Sequence, residues 1–225
     1  GGENAPALIA SLGGDGTANA VIDRYGGTAD TTLLILPGGT MNLLARRLHG
    51  EADMATVLAR AAHAPAIATL PMIEGPDFHS LAGVIAGPAT HWGTVRERLR
   101  EGELATLIDS VPAALEQTFE GHRTRLEGQQ EGYAALFVEP VERGLRVHVV
   151  RADSLVDLAA HGWAWLNRDF LGGPTEELMQ QDEVVLAQDG GHIALLADGE
   201  RYTPPSPLRL RWARCPARFL ATRES

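Results

Sequence analysis

The residues with the clearest chemistry stand near the start of the chain, in Gly13-Gly14-Asp15-Gly16-Thr17. An apolar run, Ala7 to Leu12, leads into them, and a helical pattern with Ala18, Val21 and Ile22 apolar follows from Ala18 to Tyr25. Strand, glycine loop and helix start, in that order, set several backbone N–H groups at a positive helix terminus, where a phosphate group is held. The glycines let the backbone close on such a ligand. Asp15 is the odd member, because a carboxylate repels phosphate unless a divalent cation stands between them. The group reads as a nucleotide–metal site, with an ordinary tight turn as the plain alternative. Two other glycine signatures are excluded. Asn19 stands where the dinucleotide pattern G-x-G-x-x-G, counted from Gly14, needs its third glycine. A Walker A loop needs lysine, and all 19 residues counted as Lys or Arg are arginines.

A second unit of the same kind follows. The apolar strand Thr32–Leu36 ends in Pro37-Gly38-Gly39-Thr40-Met41-Asn42, and a helix continues over Leu43–Leu48. Gly39, the Thr40 hydroxyl and the Asn42 amide are sensible nucleotide contacts there. Arg46, one turn into the helix, either neutralises phosphate or is a solvated surface arginine. Late in the chain Asp198 and Glu200 flank Gly199. On a strand two such acids share a face, whereas a turn at Gly199 separates them. One of them can act as a general base, although D-G-x alone is commonly only a hairpin turn.

Elements must place these groups. Strands alternating with helices over residues 1–65 imply a parallel sheet, whose ligands sit at the carboxyl ends of its strands. A third helix, Ala52–His63, starts at an Asp53 cap. From residue 66 to 225 the chain reads as a β-sandwich, with strands at Ala66–Met72, Phe78–Ile85, Ala134–Val138, Leu145–Val150, Val184–Ala187, His192–Ala197 and Leu208–Trp212. A helical insert is expected over about 94–120, broken at Pro112, and Asp189-Gly190-Gly191 signals a hairpin. The formal net charge of −10 argues against nucleic acid and against strong attraction to anionic membranes. One cysteine, Cys215, excludes an internal disulfide and any multi-cysteine zinc site. Apolar runs such as Leu81–Ala89 are too short to span a bilayer, so no transmembrane segment is expected. The eight histidines lack metal-ligand spacing, and Ser11 and Ser80 lie in no nucleophile elbow. The rings of His161 to Trp165 with Phe170 suit core packing better than a lipid interface.

With these pieces assembled, the sequence resembles the diacylglycerol kinase catalytic-domain family of lipid kinases, in its bacterial diacylglycerol- and sphingosine-kinase-like form. The resemblance rests on Gly13–Thr17, on Pro37–Asn42 followed by Ala45-Arg46, on the D-x-x-x-D pair Asp153 and Asp157, and on Asp198-Gly199-Glu200. It implies a Rossmann-like nucleotide domain packed on a β-sandwich, and ATP- and magnesium-dependent transfer of the γ-phosphate to a lipid hydroxyl such as that of diacylglycerol. In that reading Asp15, Asp153 and Asp157 attend magnesium. Asp198 is the base, and Glu200 orients it or a metal-bound water. A lipid substrate at a membrane surface, a cytoplasmic and peripheral location and a homodimer are further expectations. The family carries an earlier βα unit to which nothing here corresponds, so the chain reads as N-terminally truncated. Two other readings remain: a catalytically silent nucleotide- or lipid-binding relative, and an enzyme like NAD kinase. The N-E motif of the NAD kinases is absent, and the Ala-Arg helix favours the lipid kinases.

Overall fold

The computed structural model describes residues 8–28, 30–39, 42–91, 123–150, 175–198 and 200–223. The first apolar run forms β1 (Leu8–Gly13), and α1 (Asp15–Tyr25) follows after a single residue. The helix thus begins at Asp15 rather than at Ala18. Gly14 takes the extended N-cap conformation (φ −87°, ψ −175°), so Asp-Gly-Thr is itself the first helical turn. β2 (Thr32–Pro37) pairs parallel with β1 from Leu8↔Thr32 to Gly13↔Pro37, which brings both glycine loops to one end of the sheet. α2 (Leu43–His49) and α3 (Met54–His63) come next. Asp53 caps α3 as expected, its Oδ1 accepting the Thr56 N–H at 2.8 Å.

The sheet is finished by distant segments. β3 (Ala66–Ala68) and β15 (Arg218–Ala221) complete it in the order β1-β2-β15-β3, with β15 parallel to β2 and β3 antiparallel to β15. Both faces of β2 are covered. Leu33 and Ile35 pack with Ala18, Ile22, Leu44, Leu48 and Phe219, whereas Leu34 and Leu36 pack with Val57 of α3 and with Leu220. That double burial explains the unbroken apolar run of β2.

Two antiparallel sheets make up the rest. One contains β4 (Pro71–Glu74), β5 (His79–Ser80), β7 (Thr124–Leu126), β11 (Glu183–Gln188) and β14 (Leu208–Arg214). The other contains β6 (Val84–Ala86), β8 (Ala135–Pro140), β9 (Leu145–Val150), β10 (Thr175–Gln181), β12 (Leu195–Ala197) and β13 (Glu200–Tyr202). They share one core that includes Ile73, Val84, Leu136, Val147, Leu186, Leu195 and Leu210. The architecture is therefore mixed α/β.

Three expected strands and turns are corrected. Ala66–Met72 divides into β3 and β4, which belong to different sheets, because the chain changes layer at Thr69-Leu70. Phe78–Ile85 divides into β5 and β6 at Leu81–Gly83, where Gly83 has a φ of 137°. Asp189-Gly190-Gly191 does make a turn, with Gly190 and Gly191 at positive φ, but β11 and β12 on either side pair in different sheets. The turn is a crossing between layers rather than a hairpin. The expected insert, Asp153, Asp157 and the ring-rich segment from His161 lie outside the described residues. Among the described residues no helix is long and apolar enough to cross a membrane.

Candidate active site

The two glycine loops lie backbone against backbone. A Cβ on Gly39 would come within 2.3 Å of the Gly14 Cα, and one on Gly38 within 2.8 Å of the Gly13 nitrogen. No side chain fits at either position. The Gly38 N–H donates to the Gly13 carbonyl at 3.0 Å, which fastens the loops together. Asn42 then closes its own loop: its Oδ1 accepts the Gly39 N–H at 2.6 Å and its Nδ2 donates to the Gly39 carbonyl at 2.7 Å. It does so from a left-handed backbone (φ 52°), which Asn tolerates better than most residues.

Asp15 joins α1 to α2. Its Oδ1 accepts the Leu44 N–H at 2.9 Å and its Oδ2 the Leu43 N–H at 3.1 Å, so it caps the start of α2 from another helix. Burial pushes its pKa above the usual carboxylate value, against the pull of those two amides. α1 itself has no side-chain cap. Its first N–H groups lack an intrahelical acceptor and remain directed at whatever sits before the helix.

The two late acids have opposite environments. Asp198 is 6% exposed and takes a positive φ of 46°. Its Oδ1 accepts the Ser80 hydroxyl at 2.6 Å and the Ala82 N–H at 3.0 Å. Its Oδ2 accepts the Asn19 amide of α1 and the Leu81 N–H, both at 3.0 Å. Each oxygen holds two donors, which uses all the lone-pair positions a carboxylate offers. Glu200, by contrast, is exposed, and its Oε1 lies 3.1 Å from where a Cβ on Gly16 would stand. The turn separates the acids, and it is Glu200 that meets the first turn of α1.

A cleft of about 520 Å³ opens at this place, lined by Gly16 and Asn19 of α1, by Glu74 to His79, and by Glu200 and Tyr202. Tyr202 donates its hydroxyl to Glu200 Oε2 at 3.0 Å and packs on Phe78 with ring centroids 5.0 Å apart. Burial first, and then this bond, raises the phenol's pKa and keeps it a donor.

The other expected contacts are distributed differently. Thr40 lies outside the described residues. Arg46 pairs with Glu51. Its neighbour Arg47 was not singled out by the sequence, yet it donates to the carbonyls of Leu81 and Pro140 and ties α2 to the antiparallel sheets. Ser80 and Asn19 were missed as well, since nothing local marks them as partners of Asp198. Tyr202 carried a signal: on a strand it shares a face with Glu200, two residues away. Among the described residues no three metal-ligating side chains converge.

The uncapped start of α1, the exposed Glu200 carboxylate and the cleft along Gly16 and Asn19 together form the candidate site. Residues 2–72 match the model of the diacylglycerol kinase catalytic domain. Two solved structures resemble the fold over 96% of this chain. A candidate diacylglycerol kinase from Bacillus anthracis strain Sterne aligns with a TM-score of 0.62 at 14% identity, over 77% of its own length. A diacylglycerol kinase from the same strain aligns with a TM-score of 0.58, also at 14% identity, over 76% of its length. No curated protein matches the chain.

Proposed function

We propose that this chain is an ATP-dependent lipid kinase that transfers the γ-phosphate to a lipid hydroxyl such as that of diacylglycerol, reached at a membrane surface. The observation that carries the reading is Glu200 set against Gly16, a carboxylate facing the same cleft as the first turn of α1. Nucleotide phosphates would rest on the open N–H groups of that turn, across the paired glycine loops. The acceptor hydroxyl would enter the cleft, lose its proton to Glu200 and attack the γ-phosphorus in line, with the nucleoside diphosphate leaving. The base in this reading is Glu200, because Asp198 has no lone pair left to receive a proton from a substrate. Asp15 acts by locking α1 to α2. Magnesium would supply neutralisation of phosphate charge, and it needs only one or two protein carboxylates when it arrives on phosphates.

The test is transfer of radiolabelled phosphate from ATP to a panel of lipids. Glu200→Gln should lower turnover by roughly 100- to 10,000-fold while nucleotide binding is retained. Transfer to no lipid by the parent, or near-parental turnover in Glu200→Gln, would sink the proposal.

A further inference from the structure

The cleft is not the only hollow at Tyr202. A smaller one of about 230 Å³ adjoins it, lined by Pro76, Phe78, Tyr202, Pro204 and Pro205 together with Asp77 and Thr203. Pro76, Asp77, Phe78 and Tyr202 line both spaces, so the two stand side by side. The walls differ in kind. The larger cleft carries Asp23, Glu74, Asp77 and Glu200, and His79 is the one basic side chain among its lining residues. The smaller hollow is made chiefly of proline and aromatic rings, which lose little side-chain freedom when a chain packs on them. Tyr202 belongs to both: its hydroxyl is on Glu200 Oε2 at 3.0 Å, and its ring stands against Phe78 in the wall.

Resting on the kinase reading above, we propose that the smaller hollow is the subsite for the alkyl chain of the acceptor alcohol, next to its hydroxyl, and that Tyr202 is the positioning residue joining that subsite to Glu200. A chain seated on the Tyr202 ring leaves the hydroxyl at its end beside the carboxylate that the same side chain orients. Each buried methylene adds about fourfold to affinity, so a short run of them distinguishes a lipid from free glycerol. Four carboxylates in the adjoining wall disfavour an anionic headgroup through like-charge repulsion. The preferred acceptor is therefore a chain-bearing alcohol without a phosphate or carboxylate near the hydroxyl.

The experiment uses three monomeric probes: octylglycerol, glycerol, and an octyl alcohol bearing a phosphate headgroup. Binding is read by calorimetry without nucleotide, and transfer by radiolabelled ATP. Octylglycerol should bind, and the phosphate-bearing probe should bind at least tenfold more weakly. Phe78→Ala should weaken octylglycerol binding by about tenfold and raise its KM without raising that of glycerol. Tyr202→Phe keeps the ring, so octylglycerol binding should stay within about twofold while kcat falls about tenfold. Circular dichroism checks each variant, and Phe78→Leu replaces any Phe78→Ala protein that does not fold. Octylglycerol binding unchanged in the Phe78 variant, or equal binding of the phosphate-bearing probe, overturns the subsite. Unchanged kcat in Tyr202→Phe overturns the positioning role. Phe78-dependent binding with no transfer to any alcohol supports the subsite and removes the kinase reading together with the role of Tyr202.

Discussion

At the scale of single residues, chemistry is decided by which lone pairs are already taken. Asp198 and Glu200 are the same functional group two positions apart, yet one is a buried knot and the other an exposed carboxylate that accepts the Tyr202 hydroxyl. Removing the knot should be costly. Asp198→Ala strips the acceptor from the Asn19 amide and from the Leu81 and Ala82 N–H groups, each loss worth about 1–3 kcal/mol when buried. Urea unfolding should show a loss on the order of 3–5 kcal/mol, whereas the exposed Glu200→Gln should stay within about 0.5 kcal/mol of the parent. An Asp198→Ala protein as stable as the parent but slow in turnover would return the base to Asp198. The residue types of this site were legible in the sequence, but their partners were not. Asn19 and Ala82 reach Asp198 across separations of 179 and 116 residues, which no local pattern encodes.

At the scale of elements, long periodic segments were readable and short ones were not. α3 and its Asp53 cap, β2 and β9 stand close to where apolar spacing put them. β13 and β15 are only three and four residues long, and β10 reads Thr-Glu-Glu-Leu-Met-Gln-Gln, without strict alternation. Such strands exist because neighbours accept them, and propensity alone does not announce them. α2 illustrates how an element is held. Its last residue, His49, is 1% exposed, with Nε2 2.9 Å from the Ile35 carbonyl and Nδ1 3.0 Å from the Thr222 hydroxyl. A neutral ring fits both bonds, donating from Nε2 and accepting at Nδ1. Burial pushes its pKa below the ordinary 6.5. The unfolded chain therefore takes up a proton near pH 6.5 that the fold refuses, so stability is full above that pH and declines as pH falls through it. The thermal midpoint should drop between pH 8 and pH 5.5, and His49→Gln should flatten that drop. An equal slope in both proteins would locate the titration elsewhere.

At the scale of the whole molecule, the glycine-loop half is not self-contained. Phe219 of β15 is fully buried among Leu33, Ile35 and the helices, between β2 and β3. Phe219→Ala should cost about 3–5 kcal/mol by urea unfolding. A fragment of residues 1–65 should fail to show cooperative thermal unfolding by circular dichroism, and a sharp transition in that fragment would refute the dependence. During synthesis the consequence is one of timing. β2 leaves the ribosome with one hydrogen-bonding edge bare, and the strand that covers it follows only after some 180 further residues, from Pro37 to Arg218. At about 5–20 residues per second that edge waits roughly ten to forty seconds. For that interval the nascent chain carries a flat apolar strand open to pairing with its neighbours, so its yield in the cell should follow holdase chaperone supply more closely than its final stability does.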